Sequence, residues 1–350
     1  MAHSKQISPG KDTFMDKDSI IIKKAIVHIL DSSVGMPVLS DQELDFGPDL
    51  SDFFKAHIGK VTSGDDVKYC QFEEDSEVLA CLNQYNTENF VEFSKALASG
   101  LFAVMYANPA IPPADLVILH FHTEGDDCIG LLKMNYKSFY THLTDSSEAK
   151  NTNGIILQQA ILPSMGQRLS EAAVISLTDH SIILLERKYD VNGVKTNYLS
   201  QLYMKCRAPL SQKSKLNIVT KAVEQVNRKY YPDEDVERKM EIKNIIYQEL
   251  EENGNLRVDA VKEKIFHSNE EMKRDFDEKV EKYNLQNDEV KPQNPKTIKK
   301  FEKQHLLTDT GIEITIPMEE YNNKDRVQFI TNPDGTISIL IQNIGELISK

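Results

Sequence analysis

His120, His122 and Glu124 alternate along DLVILHFHTE (115–124). On an extended strand alternate side chains share a face, so two imidazoles and a carboxylate could converge on a metal ion or a phosphodiester. No second cluster of histidines or carboxylates completes such a site, and the reading adopted is a strand end with surface histidines. Phosphate chemistry has a stronger candidate. Lys205, Arg207, Lys213, Lys215, Lys221, Arg228 and Lys229 fall in a stretch, 195–231, that carries eight Lys or Arg against one Asp or Glu. Within it Leu216, Val219, Val223, Val226 and Tyr230 recur at helical spacing, and Lys221 and Arg228 fall on the opposite face, with Asn217 and Glu224. A face of this kind can follow a phosphate backbone. The competing reading is a solvated helix face, or a basic surface that docks onto acidic segments of the same chain or a partner subunit.

Two other segments are weaker. Lys296, Lys299, Lys300 and Lys303 cluster beside Phe301, and Lys299 and Lys303 are spaced to share a helical face. Residues 242–266 have the outline of a helix-turn-helix, but only Lys262 and Lys264 lie on the second helix. A DNA-reading helix wants more cations, so this unit is read as structural or as a protein contact. The sequence has no Walker-type phosphate loop, no dinucleotide-binding glycine pattern after a strand, no HExxH and no GxSxG. A non-enzymatic chain without a cofactor is the expectation. Trp is absent and no aromatic run offers a stacking platform for single strands.

These residues sit in an acidic protein. The net charge is −13, which by itself opposes nucleic acid, because affinity for DNA comes largely from neutralising phosphates. The charge is uneven, however: residues 232–290 carry 18 acidic against 10 basic side chains, directly after the basic stretch. At 40% hydrophobic and 27% charged the chain can build a core, and 350 residues suggest two or three folding units. No continuous apolar run reaches the length of a membrane span, and the polar N-terminus lacks a signal-peptide core. Cys70, Cys81, Cys128 and Cys206 never form a CxxC pair, which suits reduced, buried thiols in the cytoplasm.

The elements that would position the basic face are legible in outline. Residues 20–30 read as a strand, 49–58 and 88–107 as helices. Strands follow at 115–124, 128–136, 154–162, 172–177, 181–189 and 198–206, with 144–153 as the one long loop; the short separations favour antiparallel pairing. After Pro209 the pattern turns helical, over 211–231, 233–252, 258–266 and 270–283. Residues 287–295 read as a linker, 311–316 as a strand, and VQFI and TISILIQNI as a hairpin about Asn332-Pro333-Asp334-Gly335. The expected fold class is α+β: an N-terminal mixed domain with a largely antiparallel sheet, then a helical segment, then a C-terminal β-hairpin. The expected boundaries are a flexible tail at 1–18, an α+β domain at 19–210, a helical segment at 211–290, and linker plus hairpin at 291–350.

IVHILDSSVGMPVLSDQELD (26–45), IPPADLVILHFH (111–122), LLKMNYKSFYTH (131–142), SKLNIVTKAVEQVN (214–227) and residues 308–345 resemble successive blocks of the bacterial nucleoid-associated protein family, the NdpA or YejK type. The resemblance runs from about residue 20 to the C-terminus. It implies a cytoplasmic, nucleoid-located protein that associates with DNA, and it transfers no catalytic residues. Charge placement, not the family, nominates the seven cations above as contacts to double-stranded DNA without sequence preference. An interaction protein is the alternative, recruited to the nucleoid by a DNA-processing partner through the acidic segment 232–290. A metal-dependent phosphodiesterase using His120, His122 and Glu124 is the third reading. A homo-oligomer is compatible with hairpin edges, and no membrane partner is expected.

Overall fold

A computed structural model describes residues 15–145, 152–231, 236–346 and 348. Most of the expected N-terminal tail, the middle of the 144–153 loop and the start of the helix expected from Asp233 lie outside the described residues. The chain divides between Leu210 and Ser211 into two compact units.

In the first unit the order is β1 (Ile21–Leu30), α1 (Pro48–Thr62), β2 (Lys68–Phe72), α2 (Glu77–Asn83), α3 (Phe90–Ala107), β3 (Ala114–Thr123), β4 (Asp126–Asn135), β5 (Lys137–Asp145), β6 (Thr152–Ile161), β7 (Glu171–Ser176) and β8 (Ile182–Leu185). The small hairpin β9 (Tyr189–Val191) and β10 (Val194–Thr196) and the short β11 (Cys206–Arg207) complete it. Seven strands form one antiparallel sheet in the order β1-β3-β4-β7-β8-β2-β11.

Alternation along β3 assigns the two faces. Leu116 and Ile118 pack with Phe90, Phe93, Leu97, Leu101 and Met105 of α3. Val117, Leu119 and Phe121 pack with Phe54, Ile58 and Val61 of α1. The sheet is therefore covered on both sides, and its central strands are near-continuous apolar runs instead of alternating ones. Each such side chain removed from water contributes roughly 1.5–3 kcal/mol. Helix α3, with the turn before it, is apolar and long enough to cross a membrane by composition, but its apolar side is buried in this core.

The core also holds charge. Lys133 of β4 and Glu171 of β7 are both buried, with Nζ 3.3 Å from Oε2. Glu171 further accepts from Asn135 Nδ2 (2.7 Å), Tyr189 OH (2.9 Å) and Tyr198 OH. Burial pushes the Lys133 ammonium below the ordinary lysine range, and the Tyr198 phenol above its own.

Two local expectations are corrected. Residues 198–206 are not one strand: Leu199–Tyr203 form a single π-helical turn, and only Cys206–Arg207 is extended. The turn carries both apolar pairs, Tyr198-Leu199 and Tyr203-Met204, into the α3 side of the core. The partner of the strand expected at 154–162 is β5, whose polar residues hid it. The two form a ribbon that pairs with no other strand among the described residues.

The second unit begins with α4 (Gln212–Tyr230) and α5 (Val236–Asn253), followed by β12 (Leu256–Arg257), α6 (Val258–Ile265) and α7 (Glu270–Glu281). Then come β13 (Glu289–Val290), α8 (Pro295–Lys299), β14 (Lys303–Leu307), β15 (Glu313–Pro317), α9 (Met318–Tyr321), β16 (Val327–Thr331) and β17 (Ile337–Ile341). The stretch expected as a linker contains β13, which pairs with β12. Strands β14 and β15 form one hairpin, and β16 and β17 form the expected C-terminal one, closed by Gly335 at φ +84°. Met240 of α5 is buried with Ile316 and Val327 of these hairpins.

Candidate nucleic-acid interface

Helix α4 starts where Ser211 accepts the Ser214 N–H on its side chain (3.2 Å), which satisfies one of the donors left open at a helix start. Its apolar stripe, Leu216, Val219, Val223 and Val226, is buried. The helix packs on α7, where Met272, Phe276 and Val280 are buried in turn. Burying that stripe forces the other side outward. Lys213, Asn217, Lys221, Glu224 and Arg228 are all exposed. At 100° per residue they fall within a sector of about 80°, and from Lys213 to Arg228 the helix rises about 22 Å. Three cations and one carboxylate thus line one edge of a straight rod.

The other nominated cations are placed differently. Lys215 is half-buried and its Nζ lies 2.8 Å from Asp288 Oδ2. Lys229 stands beside the exposed face but is bound to Asp275 of α7, with Nζ 2.5 Å from Oδ2, and lies 5.1 Å from the Tyr230 ring centroid. Its carboxylate partner holds the Lys229 ammonium above the ordinary lysine range, and Asp275 is correspondingly held below the usual carboxylate range. Lys205 and Arg207 belong to the first unit. Lys205 adopts φ +45° and pairs with Asp75 at 3.1 Å, while Arg207 is exposed on the edge strand β11. Lys221 and Arg228 have no ion-pair partner among the described residues.

The weaker clusters come apart. Lys296, Lys299, Lys300 and Lys303 are exposed, but α8 ends at Lys299 and Lys303 opens β14, so Lys299 and Lys303 do not share a helical face. In the helix-turn-helix outline, β12 intervenes between α5 and α6. Lys262 is paired with Asp277 (2.9 Å) and Lys264 with the buried Glu249. Both cations are neutralised within the unit.

The histidine strand closes on a different carboxylate. His120 is buried, with Nδ1 2.8 Å from Tyr85 OH, and burial lowers its pKa. Glu124 turns away at φ +45° in the β3–β4 connection and is exposed. Asp127 takes its place, with Oδ1 2.8 Å from His122 Nδ1 and 2.6 Å from Lys23 Nζ. The Lys23 ammonium holds the Asp127 carboxyl below the usual range. Among the described residues no group of three or more His, Cys, Asp or Glu is arranged to hold a metal ion. Asp127 was not legible beforehand because the tight turn, not strand alternation, returns it to the histidines.

The model of the family described as nucleoid-associated protein YejK matches residues 26–348. No curated protein matches the chain.

Proposed function

Because this chain belongs to the nucleoid-associated protein YejK family, we propose that it contacts duplex DNA directly, through the exposed face of α4. Membership places it at the nucleoid, in the bacterial cytoplasm. The observation that carries the reading is the alignment of Lys213, Lys221 and Arg228 along one exposed helix edge in an otherwise acidic chain. Cations at this spacing neutralise phosphates and release counterions, which drives binding without reading bases. The same face carries only Asn217 and Glu224 besides, too little for a base-reading pattern. Binding is therefore electrostatic and sequence-indifferent, and no catalytic step is assigned.

The acidic segment supports the rival docking reading less well. Asp275, Asp277, Glu249, Glu263 and Asp288 are each engaged by a lysine of the same unit, which leaves less uncompensated charge for a basic partner. The phosphodiesterase reading meets Lys23 where a metal would compete for Asp127.

The test is duplex binding by fluorescence anisotropy over a salt series, with unrelated sequences of equal length. Sequence-indifferent dissociation constants of roughly 1–100 μM at physiological salt are expected. Three phosphate contacts set the slope of log K against log salt at roughly −3. Replacing Lys213, Lys221 and Arg228 together by Ala abolishes most of that slope. An unchanged affinity and slope in the triple variant would sink the proposal.

A further inference from the structure

Ribbon β5–β6 stands outside the main sheet of the first unit. The chain leaves the main sheet after Asn135, runs out along β5, returns along β6 and re-enters at Glu171. A register shift between Lys137 and Phe139 bends the ribbon at its base. There Lys137 Nζ is held by Gln167 Oε1 at 2.8 Å. Beyond that base, residues 138–144 and 152–158 are exposed on both faces.

Those faces carry exposed apolar side chains. Tyr140 opposes Leu157 and His142 opposes Ile155 on one side; Phe139 opposes Gln158 and Thr141 opposes Ile156 on the other. Tyr140 is 76% and Ile155 79% exposed, and Leu143 is 53% exposed. An uncovered two-stranded hairpin is marginally stable at best in water. Exposed apolar side chains on both faces, together with two edges that pair with no other strand among the described residues, need a cover.

Charge selects the cover. Residues 138–144 and 152–162 contain no Asp, Glu, Lys or Arg, in a chain that is 27% charged and carries a net −13. Such a surface offers nothing to phosphates or to a charged partner. It is where two copies of an acidic chain can meet without bringing like charges together. Area points the same way. At about 3.3 Å per residue a strand of this length reaches roughly 30 Å, and a ribbon about 10 Å wide offers roughly 300 Å² per face. One face alone falls short of the roughly 800 Å² per partner of a stable interface, whereas two faces and an edge reach it.

We infer that β5–β6 is a dimerisation arm, packed by both faces and one edge against a second copy of this chain. The arrangement is two-fold, each arm covered by the other protomer. It stands apart from the DNA reading, since it uses none of the α4 cations.

Light scattering on the full-length chain over a dilution series tests this, beside Ile155→Asp and Ile156→Asp, neighbours that point to opposite faces of the ribbon. A mass of two chains is expected for the unmodified protein. Each substitution is expected to weaken the dimer about thirtyfold or more, the scale of an interface hot spot. Far-UV circular dichroism checks that the main sheet stays folded. A monomer at tens of micromolar overturns the inference, and so does a dimer indifferent to either substitution. Sedimentation of a monomeric chain with phosphatidylcholine vesicles would assign the ribbon to lipid instead.

Discussion

Lys229 Nζ, at the end of α4, lies 2.5 Å from Asp275 Oδ2 on α7. That pair engages one of the helix's cations within its own unit. The preceding residue, Arg228, is also exposed and has no ion-pair partner among the described residues.

Asp275→Asn releases Lys229 without moving the helix, because the apolar contacts between α4 and α7 remain. We expect duplex affinity to rise severalfold and the salt slope to steepen by about one phosphate's worth, 0.9. Stability should change little, since exposed ion pairs contribute ~0–1 kcal/mol. Lys229→Ala in the unaltered protein should leave the slope nearly as it was. Anisotropy titrations at three salt concentrations decide between these outcomes and a Lys229 already engaged with DNA.

Glu224 is the one carboxylate on the exposed edge of α4. Glu224→Gln should tighten DNA binding at low salt and have a shrinking effect as salt rises, because the repulsion it removes is screened. Equal effects at low and high salt would mean that the edge does not face phosphates.

Removing Glu171 strands the buried Lys133 ammonium and three donors around it. Glu171→Leu should cost about 3–5 kcal/mol, the usual penalty for breaking a buried pair. The double variant Lys133→Met, Glu171→Leu should recover much of that loss. Urea unfolding midpoints measure both, and a single variant within about 1 kcal/mol of the parent would show that the network adds little.

His28 is fully buried in its neutral form. Its Nδ1 accepts the Ser40 N–H (3.1 Å), so Nε2 carries the proton and donates to Ser94 Oγ (3.0 Å), which donates to the Val91 carbonyl (2.6 Å). Burial first, and then Lys95, lower its pKa to about 4. The unfolded chain titrates near 6.5, so this contribution is complete above about 6.5 and is lost as pH falls toward about 4. Its size is on the order of 3 kcal/mol. Burial lowers His57 and His120 in the same direction. Unfolding free energies at pH 7 and pH 4.5 should therefore differ by several kcal/mol. His28→Gln should flatten that difference while lowering stability at pH 7. A wild-type protein equally stable at both pH values would refute the assignment.

What the sequence determined by itself is the set of elements whose signal is local. Leu216, Val219, Val223 and Val226 specify an amphipathic helix by spacing alone, and with it the opposite placement of Lys221 and Arg228. Asn332-Pro333-Asp334-Gly335 specifies the last hairpin, because its glycine accepts a positive φ. The antiparallel sheet followed from short connections between apolar runs. Family membership was legible too, in blocks of consecutive residues. Only the tertiary structure decided that several of these cations are engaged by carboxylates of the same chain. Lys205 meets Asp75, Lys215 meets Asp288 and Lys229 meets Asp275, partners 130, 73 and 46 residues distant in sequence. It also exchanged Glu124 for Asp127 beside the histidines, bent 198–206 into a helical turn, and left β5–β6 uncovered. The physical reason is that a side chain's periodicity is set by its immediate neighbours along the chain, whereas its partner and its exposure are set by the turns and distant segments that folding brings beside it.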